Sequence, residues 1–359
     1  MKKSHLEQLD VFRAIAALSV CSVHFSYNSF FQVYFKQALF VQFFFTLSGF
    51  VIYLNYHDQF FDIAKIKKFM IKRFFRLYPL HLFFLLIFGA IEWIKYFLSI
   101  NYGIEVNNKH FELNNISNFF LHLFFLQHYA DKYAFNGPAW SISVEMFLYF
   151  TFSIMFFFNK KYFLIMPIIF IILFSLFLKN NYGASSSHNA VYSGLYSFSL
   201  GCIFCSIYLK NKIFFNSKLF NKFYFILLIL FFVKLFKYKI LFKLNYTFIY
   251  SVIFGLMIYL SCFLNKNFFL YKLFFNKMFI FLGKISYSIY LGHVLVFFLL
   301  NNFLKYIIKY PTDVTSDGRV FIKLSIFESN LFTLFAYLLT IFLASYTYKY
   351  IETKYYKKF

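Results

Sequence analysis

Long apolar runs divided by short basic loops constrain this chain more than any other feature. A helix that crosses the hydrocarbon core of a bilayer needs about 20 mostly apolar residues. Such stretches recur at about 11–27, 36–56, 78–98, 138–158, 162–179, 190–209, 222–236, 245–264, 278–301 and 330–350. The expectation is an all-α polytopic membrane protein of about ten transmembrane helices. A composition of 61% hydrophobic and 27% aromatic residues agrees, since soluble domains carry far less of both. The stretch 116–130 is apolar but short and holds His122 and His128, so it reads as re-entrant or interfacial. No cleavable signal pattern precedes the first span. With no internal repeat and no extra globular segment, residues 1–359 read as one transmembrane domain without a fused soluble domain.

Lysine and arginine collect in cytoplasmic loops, which gives an orientation. With both termini cytoplasmic, the inner segments hold Lys2 and Lys3, then Lys65, Lys67, Lys68, Lys72, Arg73 and Arg76, and then Lys160 and Lys161. Further inner segments hold Lys210, Lys212, Lys218 and Lys222, then Lys266, Lys272 and Lys277, and the tail holds Lys354, Lys357 and Lys358. The loop with Lys237, Lys239 and Lys243 falls outside and breaks the pattern. A full crossing by 116–130 would invert every later loop and expose Lys160 and Lys161, so parity supports the re-entrant reading.

A net charge of +23 could signal nucleic acid, but the basic residues are scattered through membrane loops, where topology and anionic headgroups account for them. No nucleic-acid partner is expected. Cys202 and Cys205 form a C-x-x-C inside an apolar run, with Cys21 and Cys262 in two others. Two small residues one turn apart suit helix packing, no second ligand pair accompanies them, and no metal is expected.

Ionisable groups at membrane depth are costly and mark function by default. In LDVFRAIAALSVCSVHF, Arg13 and His24 are eleven residues apart, which on an α-helix returns to one face with a rise of about 16 Å. Asp10 is placed to pair with Arg13. Arg13 either snorkels to the headgroups or serves a site, and His24 is either a core hydrogen-bonder or a general base. In IKRFFRLYPLHL, Arg73 and Arg76 lie one turn apart, as an anchor or as a two-guanidinium phosphate clamp, with Pro79 suited to an early helical turn. In NGPAWSISVEMFLYF, Ser141, Ser143 and Glu145 fall inside a span, and LGKISYSIYLGHVLVFF places His293 in another.

These motifs, in this order, resemble the acyltransferase-3 family of integral membrane O-acyltransferases. The opening helix resembles the family's R-x10-H element, FFFTLSGFVI its second span, KRFFRLYPLHL its R-x-x-R segment and PAWSISVEMFLY its W-S-x-S-x-E signature. LGKISYSIYLGH resembles its S-Y-x-x-Y-L-x-H signature and YKYIETKYYKKF its closing acidic element. Val11, Met146 and Thr353 depart from residues common in the family.

The resemblance implies His24 as the essential histidine with Arg13 its motif partner, Glu145 in the functional core, and Arg73 and Arg76 receiving acyl-coenzyme A, most simply acetyl-coenzyme A. Asp10, Ser141, Ser143 and His293 are the supporting candidates. Asp10 or Glu145 would orient the imidazole, and Ser141 or Ser143 would stabilise an oxyanion. His24 would deprotonate an acceptor hydroxyl for direct attack or carry the acyl group as a covalent relay. The acceptor implied is a glycan or glycolipid of the cell envelope, such as lipopolysaccharide O-antigen or exopolysaccharide, and the site of action is the bacterial cytoplasmic (inner) membrane. The alternative reading is a glycan translocase or exporter of related architecture. Acceptor recognition is expected in 302–328 and 99–136.

Overall fold

A computed structural model of the chain describes residues 6–22, 24, 39–59, 62–103, 110–129, 134–158, 164–180, 187–210, 218–237, 246–314 and 320–356. The described residues are 85% helical. The helices are α1 (Glu7–Ser22), α2 (Leu39–Tyr56), α3 (Ile63–Tyr102), α4 (Ile116–Leu123), α5 (Trp140–Phe158), α6 (Ile165–Asn180) and α7 (Ser187–Lys210). They continue with α8 (Lys218–Lys237), α9 (Tyr246–Ser261), α10 (Phe269–Phe274), α11 (Lys277–Lys284) and α12 (Ser286–Asn302). A short antiparallel hairpin, β1 (Thr312–Val314) and β2 (Val320–Ile322), precedes α13 (Ile326–Thr347) and α14 (Thr353–Tyr356). Among the described residues, five helical stretches are long and apolar enough to cross a membrane: Leu39–Tyr56, Ile63–Tyr102, Ala190–Lys210, Ser286–Ile307 and Ile326–Tyr355. Their outward faces stay apolar, as Phe342 at 74% exposure illustrates, which suits lipid and makes this a multi-pass membrane protein.

Three local readings change. The first helix was expected to run through 27, but α1 ends at Ser22 and His24 lies in the following turn, its amide donating to the Cys21 carbonyl at 3.1 Å. That i to i+3 bond is the tighter closure with which helices finish, so Arg13 and His24 do not share one continuous helical stripe. Pro79 was placed in an early turn but sits inside the 40-residue α3, which spans about 60 Å and gives up one internal hydrogen bond there. The run 278–301 is two helices. Asn276 caps α11, accepting from the Phe279 amide at 3.0 Å, and α11 closes at Ile285 before α12 begins. The segment 116–130 forms the eight-residue α4 and a 3-10 turn at Gln127–Tyr129, too short to cross. Residues 25–27, most of 180–189, Lys2, Lys3, Lys160, Lys161, Lys212, Lys239, Lys243, Lys357 and Lys358 lie outside the described residues.

The chain divides into two compact units. The first comprises Met1–Val20, Tyr34–Met70 and Phe147–Ser286. In lipid, apolar contact alone does not favour one helix pairing over another, so close approach and polar glue decide it. At the crossing of α2 and α7, a Cβ on Gly49 would overlap the Phe198 carbonyl and one on Gly201 the Thr46 carbonyl. Beside it, Gln42 Nε2 donates to Ser193 Oγ at 3.1 Å, Ser197 Oγ donates to Gln42 Oε1 at 2.8 Å, and Ser197 and Ser251 hydroxyls meet at 2.7 Å. These bonds tie α2, α7 and α9 together. Cys202 Sγ reaches the Gly49 carbonyl at 3.6 Å and both C-x-x-C residues are buried and in no disulfide, so this motif packs helices.

The second unit comprises Cys21–Val33, Ile71–Met146 and Tyr287–Phe359. Here α4 is pinned to α3 through His81, whose Nε2 donates to the His122 carbonyl at 2.8 Å. Near the far end of α3, buried Glu92 accepts from the Phe111 amide at 3.0 Å and from Asn114 Nδ2 at 2.8 Å, and pairs with Lys95 at 3.0 Å. The helix α13 opens on a capping box made by Ser325 and Glu328.

Gly201→Leu should separate α2 from α7 and cost about 2–3 kcal/mol. Thermal unfolding of the detergent-solubilised protein checks this, and an unchanged midpoint would show that the close crossing is not required.

Candidate active site

The second unit gathers polar side chains around α12. Its residues 287–293 read YSIYLGH, and Tyr287, Ser288 and Tyr290 each reach a different element. Tyr287 Oη donates to the Leu77 carbonyl of α3 at 2.7 Å, and Ser288 Oγ donates to Glu352 Oε2 in the π-helical turn after α13 at 3.0 Å. Asn136 Nδ2 donates to the Leu291 carbonyl at 3.0 Å. Gly292 faces Phe84 and Leu343, with room for hydrogen only before those side chains must move.

At the start of α5, three groups form a triangle. Ser141 Oγ and Tyr290 Oη lie 2.7 Å apart, and they reach the Pro138 carbonyl at 3.1 Å and 3.0 Å respectively. Two hydroxyl protons serve three contacts, so one hydroxyl donates to the carbonyl and the other to its neighbour. Glu145, half-buried one turn after Ser141, lies within electrostatic reach of Tyr290. Ser143 Oγ donates to the Trp140 carbonyl at 2.8 Å and therefore accepts from His128 Nδ1 at 2.9 Å. Both serine hydroxyls, expected from the resemblance as oxyanion candidates, are thus hydrogen-bonded within the second unit.

His24 and His293 come together. Their ring centroids are 5.0 Å apart at an interplanar angle of 48°, with His24 exposed and His293 at 0% exposure. His293 Nδ1 reaches the Ile289 carbonyl one turn back at 3.2 Å. Because a carbonyl only accepts, the neutral imidazole carries its proton on Nδ1 and presents a lone pair at Nε2. The arrangement can do base chemistry: an accessible imidazole stands against a buried polar wall. The unprotonated nitrogen of a neutral imidazole in such a setting can accept a proton.

The remaining expected residues sit elsewhere. Asp10 and Arg13 belong to the first unit and pair with each other at 3.9 Å. Arg73 and Arg76 lie in the second unit on α3, Arg73 buried and Arg76 half-buried, one turn apart as the sequence requires. Sequence reasoning did not single out Asn136, and it met Tyr290 and Glu352 only as parts of the S-Y-x-x-Y-L-x-H signature and the closing acidic element, without a role. For Tyr290 the signal was available, since i, i+3 spacing puts it on the face of His293. Among the described residues no group of three or more His, Cys, Asp or Glu is placed to hold a metal ion.

A family model described as an acyltransferase domain, that of the acyltransferase-3 family, matches residues 6–349 of the 359, and the chain therefore belongs to that family and is a membrane acyltransferase. No curated protein and no solved structure matches it.

Ser141→Ala and Tyr290→Phe should each cost about 1 kcal/mol, because the surviving hydroxyl still serves Pro138. The two costs should not add, because the hydroxyls bond each other as well as the carbonyl, which also accepts from the Trp140 amide, and the coupling should be about 0.5–2 kcal/mol. A thermal-unfolding double-mutant cycle reads this, and additive costs would contradict the triangle.

Proposed function

We propose that this acyltransferase moves an acyl group, acetyl in the simplest case, from cytoplasmic acyl-coenzyme A to a hydroxyl of a cell-envelope glycan such as lipopolysaccharide O-antigen or exopolysaccharide. The observation that carries the proposal is the exposed imidazole of His24 set against buried His293 within one unit. An accessible base beside a dry polar wall is what proton removal from a sugar hydroxyl requires. In the reaction, His24 takes the hydroxyl proton while the alkoxide oxygen bonds the thioester carbonyl carbon. The C–S bond then breaks and the coenzyme A thiolate leaves, taking a proton from the imidazolium.

Arg73 and Arg76 support a coenzyme A donor. Two guanidiniums one turn apart match phosphate geometry, and Arg73 is already buried, so the entropy of ordering it is largely spent before a ligand arrives. Acyl-coenzyme A is too charged to cross lipid and is made in the cytoplasm. A protein with about ten spans and both termini cytoplasmic, in a bacterial inner membrane, would bring that donor to an acceptor finished outside. The lysine distribution along the sequence supports this orientation.

Membranes holding the protein, radiolabelled acetyl-coenzyme A and envelope glycan should yield an alkali-labile glycan ester. His24→Ala should lower transfer by about 1,000-fold with normal insertion, and Arg73→Ala or Arg76→Ala should raise the KM for acetyl-coenzyme A by about 10–100-fold. Full transfer by His24→Ala would overturn the role of His24, and no ester with the wild-type protein would overturn the choice of donor or acceptor.

A further inference from the structure

Buried polar atoms are nearly always hydrogen-bonded, and an exception calls for an explanation. His293 Nε2 is such an exception: the residue is at 0% exposure and this nitrogen has no hydrogen-bond partner, while Nδ1 is occupied by the Ile289 carbonyl. Around the ring stand Phe297 at 5.5 Å, Tyr290 at 6.2 Å and His24 at 5.0 Å between centroids. Phe297 has nothing to donate, and the Tyr290 hydroxyl is committed to Ser141 and Pro138. His24 is the ring neighbour left to supply an N–H. Two imidazoles joined by an N–H···N bond of about 2.9 Å, each nitrogen about 1.1 Å from its ring centre, have centroids about 5 Å apart. The observed spacing therefore matches such a bond, and His24 sits in a turn, so bringing its nitrogen into line requires no helix to move.

We propose that His293 is the positioning residue for His24. Its Nε2 lone pair accepts an N–H from His24 during turnover, which fixes the tautomer and turns the opposite nitrogen of His24 toward the acceptor hydroxyl. When His24 takes the acceptor proton, the same bond becomes charge-assisted and steadies the imidazolium until the leaving thiolate removes that proton. The role rests on the acyl-transfer reading of the site. It also gives a reason for Asn136 and Tyr290 to hold α12 so firmly, since a misplaced α12 would carry the Nε2 acceptor out of line.

Two substitutions separate this role from mere helix packing. In His293→Asn the amide occupies the place of Nδ1 and can keep the Ile289 bond, but nothing reaches the position of Nε2. In His293→Gln the amide oxygen reaches about as far as Nε2 and restores an acceptor there. With reconstituted full-length protein, labelled acetyl-coenzyme A and envelope glycan, His293→Asn should lower kcat about 100-fold, with the KM for acetyl-coenzyme A within about 2-fold. His293→Gln should stay within about 5-fold of wild type. Equal activity of the two variants, whether both high or both low, would overturn the role of Nε2. A wild-type protein that forms no ester would instead overturn the proposed donor or acceptor on which this role rests, so the two failures are distinguishable.

Discussion

The hydrogen bonds that fasten α12 are what the second unit depends on. In an apolar medium a carbonyl or hydroxyl without a partner is expensive, so each polar group that α12 buries must find a donor or acceptor on a neighbour. Tyr287 finds the Leu77 carbonyl, Ser288 finds Glu352, Leu291 offers its carbonyl to Asn136, and Tyr290 joins Ser141 over Pro138. Four contacts within five residues fix the rotation of the helix about its own axis as well as its position. That rotation determines where the next polar group on the same face, His293, is aimed.

The first unit solves the same problem differently. Its helices meet through glycines that bring backbone to backbone, Gly49 against Phe198 and Gly201 against Thr46, with a short Gln42 and serine network beside them. Those contacts rigidify a scaffold without presenting an accessible ionisable group. In the second unit an exposed histidine lies beside the buried polar groups of α12, and the proposed chemistry rests on that arrangement.

Much of this was legible in the sequence, because a 20-residue apolar run has few alternatives to a membrane helix. The five helical stretches long and apolar enough to cross a membrane and the Asp10 to Arg13 pair can be read from composition and spacing. What could not be read is where helices stop. An apolar run carries no periodic signal at its end, so α1 closing at Ser22 and the division at Ile285 are invisible until the caps and tight crossings are known. Pro79 misled for the opposite reason: its local preference for a first turn yields to the packing of a 40-residue helix. Ser141 and Ser143 were assigned by residue type, which does not show that Ser143 donates to the carbonyl three residues back or that Ser141 meets Tyr290, 149 residues distant.

The central claim is that His24 is the accessible imidazole of an acyl-coenzyme A site and His293 its buried partner. The most direct test is the rate at which diethylpyrocarbonate modifies each histidine in proteoliposomes, read by mass spectrometry with and without coenzyme A. Modification of His24 that coenzyme A suppresses, with His293 inert throughout, is the predicted result. A His24 that reacts at the same rate with and without coenzyme A, or a His293 that reacts first, would contradict the account.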